Sequence, residues 1–395
     1  MADRFAIQVY NQISERGLSR LPAERYRVGK DVAHPVAIVL RSADLHQADI
    51  PPSVRAIARA GAGTNNIPVD AMSARGVPVF NAPGANANAV KELVLAGMLM
   101  AARQIAPALR FVDGLDPKAP DLDARVEDGK KHYAGIELAG RTLGVIGLGK
   151  IGCLVADAAI KLGMHVLGHD PDITVDAAWS LPSQVKRAAS VNEVLKSAHF
   201  VTLHVPLVTA TRHLVGVANI GQLRSDSVLL NFSRDGVVDD AAVRAALDAR
   251  KLGAYVCDFP SAEILRHPGV IALPHLGAST REAEENCAVM VVDQLRDYLE
   301  HGNVVNAVNF PNVTMARESA FRVAIANANV PNMVGQISTA MAQAGLNIHN
   351  MVNKSRGEMA YTRVDVDSPV AEAVLADIAR IHGVLAVRYL PVTAG

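Results

Sequence analysis

Residues 142–170, TLGVIGLGKIGCLVADAAIKLGMHVLGHD, decide the fold of this chain. A β-branched strand pattern leads directly into Gly147, Gly149 and Gly152, and a helix-compatible run follows them. A second strand pattern then closes on Asp170, 18 residues beyond Gly152. A strand, a glycine-rich turn, a helix and an acid at the end of the next strand are typical of a dinucleotide-binding βαβ unit.

Each part of this pattern has a role in holding a dinucleotide. Glycines let the backbone approach the pyrophosphate, and the amides and dipole of the helix start meet its charge. Asp170 is placed to accept hydrogen bonds from ribose hydroxyls and would repel a 2′-phosphate, so the pattern predicts NAD rather than NADP. The alternative is a tight strand-to-helix turn with an incidental acid. The predicted cofactor loop consists of Gly147, Gly149, Lys150, Ile151 and Gly152.

The rest of the sequence alternates short β-branched runs with helical patterns, which predicts an α/β fold with two doubly wound parallel sheets. After residue 317 the pattern becomes βαββαβ, which predicts a smaller ferredoxin-like regulatory module. A stretch rich in Asp, Pro and Gly over 113–128 indicates a surface excursion. The predicted domains are a discontinuous substrate-binding domain (1–88 and 281–312), an NAD-binding domain (89–280) and the module (318–395).

The composition excludes several classes of protein. Lys plus Arg equals Asp plus Glu at 39 each, so no global charge favours nucleic acid or an anionic membrane. Cys153, Cys257 and Cys287 form no CxxC pair, which argues against zinc and for a reducing compartment, the cytoplasm. Residues 1–13 lack the continuous apolar run of a secretory signal, and the apolar run 93–102 is too short to span a membrane.

Three later segments, each at the end of a predicted strand of the dinucleotide-binding sheet, carry residues suited to oxidising a secondary alcohol. Hydride loss needs a base for the hydroxyl proton, and His275 in LPHLGAST can supply it. A carboxylate on the other imidazole nitrogen would fix its tautomer, the role predicted for Glu263. Arg234 in NFSRDGVVDD can grip a substrate carboxylate as a fork. For Glu263 the alternative is an exposed acid at the start of a small helix, and for His275 a packed histidine.

The ordered set VIGLGKIG, LHVPL, NFSRDGVVD and LPHLGAST resembles the D-isomer-specific 2-hydroxyacid dehydrogenases over nearly all of residues 35–310. The resemblance implies that Arg234, His275 and Glu263 are the catalytic residues and that Asp258 contacts the nicotinamide. One departure is that Phe259 follows Asp258 directly, where the family text has an extra residue. The resemblance extends the predicted cofactor-binding residues to His204, Pro206, Asp258 and Gly277.

The substrate side is predicted in the first α/β block. The resemblance implies that the loop GAGTNNI presents backbone amides to the substrate carboxylate. Arg41 and Ser42 match the position where phosphoglycerate-oxidising members meet the phosphate, which favours 3-phosphoglycerate as the substrate. Lys130 and Lys131 could add positive charge for the phosphate, although a paired-lysine surface loop is more often only solvated, and the sequence leaves both readings open. The predicted substrate-binding residues are Arg41, Ser42, Ala62, Gly63 and Asn86.

The C-terminal module resembles an ACT domain. In serine-sensing members this module binds serine, and here the matching positions are Asn327, Asn329 and Asn347. Asn327 replaces a histidine and cannot become a cation, so we expect serine to inhibit weakly or not at all. The module would still hold subunits together, and a homodimer or homotetramer is implied.

Two other functions remain open at this stage. One is another reaction of the same family, the reduction of hydroxypyruvate, glyoxylate or 2-oxoglutarate. The other is a corepressor-like NAD-sensing scaffold, against which the Arg, Glu and His set argues.

Overall fold

A computed structural model describes residues 4–392. Contacts divide the chain into two compact units, one comprising the residues up to Ala85 and those from Arg281 onward, the other Asn86–Thr280. The division into three domains stays a prediction. In the described part of the chain no single helix is long and apolar enough to span a membrane; only the bent pair Ala87–Ala102 and Ile105–Asp113 has that length and composition together.

The first unit begins with a five-stranded parallel sheet in the order β2-β1-β3-β4-β5. Its strands are β1 (Phe5–Val9), β2 (Tyr26–Gly29), β3 (Ala37–Leu40), β4 (Ala56–Arg59) and β5 (Val79–Phe80). Its helices are α1 (Glu15–Leu18) and α2 (Val69–Ala74). All four residues of β3 are buried, as expected of a parallel strand covered on both faces.

The second unit contains a seven-stranded parallel sheet in the order β12-β11-β10-β9-β6-β7-β8. Its strands are β6 (Thr142–Ile146), β7 (His165–His169), β8 (Lys186–Arg187), β9 (Phe200–Leu203), β10 (Val228–Asn231), β11 (Ala254–Cys257) and β12 (Val270–Ala272). The strand order reverses between β6 and β9. That reversal is the topological switch point where open α/β sheets bind ligands.

The helices of this unit are α3 (Ala87–Ala102), α4 (Ile105–Asp113), α5 (Leu122–Gly129), α6 (Lys150–Lys161), α7 (Val175–Ser180), α8 (Val191–Ser197) and α9 (Asp240–Asp248), with 3₁₀ turns at Lys130–Tyr133 and Ile220–Gln222. The predicted surface excursion contains helix α5. Its Asp, Pro and Gly content masked the helix in the sequence pattern. The two doubly wound sheets predicted from the sequence are confirmed.

The first unit continues with α10 (Arg281–His301) and then the C-terminal module, which is the predicted βαββαβ pattern. Its elements are β13 (Phe321–Ala328), α11 (Met333–Gln343), β14 (Ile348–Arg356), β15 (Met359–Val366), α12 (Glu372–Ala379) and β16 (Val384–Tyr389). The sheet is antiparallel in the order β14-β15-β13-β16. One cluster of buried apolar residues joins the first sheet, α10 and this sheet, with Phe80, Leu295 and Tyr361 among its members.

Candidate active site

The glycine loop after β6 has the geometry of a pyrophosphate cradle. Gly147 has φ +91°, and a Cβ there would lie 2.4 Å from the carbonyl oxygen of His204. A Cβ at Gly152 would lie 2.0 Å from the carbonyl oxygen of Gly147. A Cβ at Gly149, which precedes α6, would meet nothing within 4 Å, so this face of the loop is open. The first N–H groups of α6 therefore border open space that an anion can occupy.

Asp170 lies beside this loop, at the end of β7. Its Oδ2 accepts a hydrogen bond from the backbone N–H of Leu148 at 2.8 Å, and its Oδ1 accepts one from Asp172 at 2.9 Å. Each carboxylate oxygen keeps a further lone pair for a ribose hydroxyl. The structure thus brings the predicted acid and the predicted glycines together.

His204 follows β9, next to the same loop. Its backbone N–H donates to the carbonyl of Ile146 at 2.7 Å, and its Nε2 lies 3.0 Å from the hydroxyl of Thr202. Burial lowers the pKa of its imidazole to about 3, so the ring is neutral at physiological pH. A neutral His204 cannot supply positive charge to a cofactor phosphate. Pro206, another predicted cofactor-binding residue, lies two residues later and is exposed.

Asp258, at the end of β11, organises the loop that carries His275. Its carboxylate accepts the backbone N–H groups of Leu276 at 2.7 Å and of Gly277 at 2.8 Å, and its own carbonyl accepts that of His275 at 3.0 Å. Burial raises the pKa of this carboxyl, and the two backbone donors partly oppose the shift. The side chain is 1% exposed, so Asp258 fixes the shape of the loop from beneath.

His275 itself is exposed and has φ 57°, a left-handed conformation that is uncommon for a residue other than glycine. Its ring packs against Phe259, with centroids 4.8 Å apart. Among the described residues neither ring nitrogen has a hydrogen bond, so the predicted pairing with Glu263 is not formed here. The carboxylate of Glu263 is exposed, and the backbone carbonyl of this residue accepts a hydrogen bond from Arg244 at 2.9 Å. The catalytic role of Glu263 stays a prediction.

Arg234 lies in the loop after β10. Its Nη1 donates to the carbonyl of Ser233 at 2.7 Å, and its side chain makes no ion pair within residues 4–392. Asn231, which the sequence reasoning did not single out, braces the loop by donating to the carbonyl of Arg234 and accepting from Ser233. The signal in the sequence is an asparagine at the end of β10, three residues before the arginine.

These residues share one edge of the sheet. The cofactor loop, His204, Arg234, Asp258 and His275 follow the carboxyl ends of β6, β9, β10, β11 and β12, which are consecutive neighbours across the sheet. Asn86 also lies in this unit, at the start of α3. No group of three His, Cys, Asp or Glu residues among those described could hold a metal ion.

In the first unit, the loop that follows β3 is held on both sides by amide side chains. Asn11 accepts the backbone N–H groups of Ser42 at 3.0 Å and Ala43 at 2.7 Å. Asn66 donates to the carbonyls of Arg41 at 3.2 Å and Ala43 at 2.7 Å. Asn11 and Asn66 were both missed from the sequence, because nothing in the local pattern shows that they reach this loop.

A second arginine, also missed, lies at the end of β4. Arg59 donates through Nε to the carbonyl of Arg41 at 3.1 Å. Its guanidinium covers the glycine loop, since a Cβ at Gly61 would lie 1.9 Å from its Nη1. The carbonyl of Ala62 accepts a hydrogen bond from Asn81 at 2.6 Å, which steadies Ala62 and Gly63. The predicted substrate loops of this unit therefore lie side by side.

The predicted effector residues divide into two groups. Asn327 and Asn329 line a cavity of about 160 Å³ in the module, whereas Asn347 is not in its lining. Asn327 is fully buried, donates to the carbonyl of Ala328 at 2.8 Å and accepts from the hydroxyl of Thr362 at 3.2 Å. Its amide is therefore already hydrogen-bonded within the module, and the effector role of Asn327, Asn329 and Asn347 stays a prediction.

Comparisons with known proteins agree with this arrangement. Residues 95–277 match the model of the NAD-binding domain of D-isomer specific 2-hydroxyacid dehydrogenases. The chain is 34% identical over 319 residues to the D-3-phosphoglycerate dehydrogenase of Methanocaldococcus jannaschii, a match that spans 79% of this chain and 57% of that one. It is 32% identical over 343 residues to the Haemophilus influenzae D-3-phosphoglycerate dehydrogenase, covering 83% of this chain and 79% of that one.

A solved structure shares the fold. The NAD⁺-bound 3-phosphoglycerate dehydrogenase of Entamoeba histolytica matches with a TM-score of 0.59 at 23% identity, over 78% of this chain and 99% of that one.

Proposed function

Because the chain belongs to the D-isomer specific 2-hydroxyacid dehydrogenase family, we propose that it oxidises D-3-phosphoglycerate to 3-phosphohydroxypyruvate with NAD, the first step of L-serine biosynthesis. The observation that carries the proposal is the braced Arg41–Ser42 loop, which presents a guanidinium and a hydroxyl at a strand end. A fork of N–H donors matches a phosphate, and relatives that match most of this chain are named for the same substrate.

The cradle in the second unit fits NAD. When bound, NAD accepts the hydride from the carbon that bears the substrate hydroxyl. Without a Cβ, Gly147 and Gly152 let the loop pack closely against the backbone of His204 and on itself, while Gly149 borders open space. The N–H groups at the start of α6 would meet the pyrophosphate charge there. Asp170, already ordered by the N–H of Leu148, accepts the ribose hydroxyls and repels a 2′-phosphate.

The remaining steps fall to three side chains. His275 accepts the hydroxyl proton, since the carbonyl cannot form while that proton stays. Arg234 pairs with the substrate carboxylate and polarises the new carbonyl. Glu263 is assigned to the imidazolium that His275 becomes; catalytic hydrogen bonds are often absent in unliganded proteins and tighten on substrate binding.

The deciding experiment is an NADH absorbance assay over phosphorylated and unphosphorylated 2-hydroxy and 2-oxo acids. We expect 3-phosphoglycerate to give the highest kcat/KM in the oxidative direction. Arg41→Ala should lower kcat/KM for 3-phosphoglycerate by about tenfold or more, the range of one charge-assisted contact, and affect unphosphorylated acids far less.

The matched control is Arg16→Ala. Arg16 also pairs with a glutamate of α10, Glu285 at 3.0 Å, which is not the partner of Arg41. Equal losses for phosphorylated and unphosphorylated acids in Arg41→Ala would contradict a phosphate-binding role.

One observation favours a second candidate, reduction of hydroxypyruvate, glyoxylate or 2-oxoglutarate. Nη1 of Arg41 lies 2.5 Å from Oε1 of Glu284, so the cation already has a partner. A higher kcat/KM for one of these unphosphorylated oxo acids in the same panel would select this reaction.

We also propose that the enzyme is a cytoplasmic homodimer or homotetramer. Helix α4 is amphipathic yet has no buried residue, and Leu109 and Val112 are 57% and 55% exposed. Such an apolar face is typical of one that a second copy covers. The three cysteines are all free, in keeping with a reducing compartment. Sedimentation of the full chain, and of Leu109→Glu, tests the oligomer.

A further inference from the structure

Glu284, in the first turn of α10, forms an ion pair with Arg41. Arg41 is the residue that the proposed function takes as the contact for the substrate phosphate. Glu284 Oε1 lies 2.5 Å from Arg41 Nη1, and the two side chains are 47% and 31% exposed. The pair is therefore open to solvent and to a ligand. Nothing in the proposed reaction requires this carboxylate.

The backbone of Arg41 cannot move away from this contact. Its carbonyl accepts hydrogen bonds from both Asn66 and Arg59, and the next two N–H groups are held by Asn11. A change of partner therefore requires rotation of the Arg41 side chain or of the Glu284 side chain. A phosphate that binds Arg41 must then displace the glutamate or bind next to it.

A buried thiol lies near the Arg41–Glu284 pair. Cys287 lies one turn after Glu284 and is buried. Burial raises the pKa of its thiol, Arg41 and Arg59 act to lower it, and Glu284 acts to raise it. The Cys287 thiol therefore lies close enough to both arginines and to the glutamate for their charges to act on it.

We propose that Glu284 is a specificity-determining residue that competes with the substrate phosphate for Arg41. The inference rests on the proposed function, because it takes Arg41 as the phosphate contact. A phosphate carries nearly two negative charges at neutral pH and is repelled by the carboxylate more than an uncharged substituent is. Glu284 thus lowers the ratio of kcat/KM for phosphorylated acids to kcat/KM for unphosphorylated acids, and it does so without contacting the reacting carbon.

The test compares Glu284→Gln with Glu285→Gln. Glutamine keeps the length of the side chain and can still accept a hydrogen bond from Arg41, so only the charge is removed. Glu285 is the next residue on the same helix and pairs with Arg16 and Arg281 instead. The control therefore removes one negative charge nearby without changing the partner of Arg41.

We expect Glu284→Gln to lower KM for 3-phosphoglycerate by about two- to fivefold, the range of a half-exposed ion pair, with kcat unchanged. KM for an unphosphorylated 2-hydroxy acid should stay within error, and Glu285→Gln should change neither. The gain should shrink as salt rises. In an Arg41→Ala background the Glu284→Gln gain should disappear, since the two residues act through one contact.

The proposal and the proposed function can fail separately. If the wild-type enzyme prefers an unphosphorylated acid, the substrate assignment fails. The proposal about Glu284 is then tested by measuring how strongly inorganic phosphate competitively inhibits the reaction with that acid. Stronger inhibition of Glu284→Gln than of wild type would still support competition for Arg41. A higher KM in Glu284→Gln, an equal change in Glu285→Gln, or a gain that persists without Arg41 would overturn the proposal. So would inorganic phosphate that inhibits neither protein.

Discussion

Arginines from other segments of the chain contact both ends of helix α10, and the two ends differ in how far these arginines are exposed to solvent. At its start Arg41 is half-exposed and has one carboxylate partner, Glu284. At its end Arg322, Arg363 and Arg388 of the C-terminal module are buried. The first arrangement leaves donors for a ligand, and the second leaves few.

The buried arginines satisfy the last carbonyls of α10, which have no partner within the helix. Arg388 donates to the carbonyls of Tyr298 at 3.1 Å and Leu299 at 2.9 Å. The carbonyl of His301 accepts from Arg322 at 3.2 Å and from Arg363 at 2.7 Å. Positive charge at a helix C-terminus is also favoured by the helix dipole.

One carboxylate completes this cluster. Asp365 is fully buried and accepts two hydrogen bonds from Arg322, at 2.5 and 2.7 Å. Burial lowers the pKa of Arg363 to about 10, so it too remains charged at neutral pH. Exposure and the number of occupied donors, rather than residue type, distinguish Arg41, the proposed phosphate contact, from these structural arginines.

The largest expected effect is on the free energy of unfolding, when the buried Arg322–Asp365 pair near the end of α10 is broken. Arg322→Met leaves Asp365 buried without its partner, which should reduce the free energy of unfolding by about 3–5 kcal/mol, measured by urea denaturation. Replacing both members, Arg322→Met with Asp365→Leu, should recover much of the loss, because no uncompensated charge is then buried. The exposed control Arg380→Met, which removes a pair with Asp377, should cost less than about 1 kcal/mol. A small loss in Arg322→Met would break the comparison.

Next in size is a loss of activity without a loss of stability. Arg234 is exposed and uses one donor on its own chain, so we expect Arg234→Ala to leave the urea midpoint unchanged. Turnover should fall about 10²–10³-fold, the range for removing one donor that stabilises a developing charge. A variant that unfolds early yet keeps its turnover would place Arg234 with the structural arginines.

The smallest effect is on the pH dependence of stability. Burial acts to raise the pKa of Asp365, but the hydrogen bonds from Arg322 and from the N–H of Glu318 outweigh it, and the net shift is below the ordinary value of 3.8. A carboxyl whose pKa is depressed by folding contributes stability at pH values above its unfolded pKa, and this contribution is lost as the pH falls through the folded value. We therefore expect this contribution to be constant near neutrality and to be lost on acidification below about pH 4.

Urea midpoints measured from about pH 3 to pH 6 check this expectation. Arg322→Met should lose stability at a higher pH than wild type does, because Asp365 then keeps the burial and loses its main compensating partner. Identical pH profiles for the two proteins would contradict the assignment.

Much of the cofactor side could be predicted because its signals are local. Gly147, Gly149 and Gly152 are needed by one turn, and Asp170 ends the very next strand. The positions of Arg234, Asp258 and His275 at one sheet edge followed from the rule that parallel strands end on the same side. The Glu263–His275 contact was not found, because the geometry between two loops depends on side-chain placement that strand order does not specify.

The sequence by itself determined the α/β class, the two parallel sheets, the βαββαβ module and the NAD-binding unit, since each depends on residue periodicity or spacing within one segment. Only the tertiary structure decided which charges meet. Arg41 and Glu284 lie far apart in the chain, as do Arg388 and the end of α10, and their sequence neighbourhoods give no sign of the pairing. The energy of a charge depends on its burial and on its partners, and both are set when distant segments pack together.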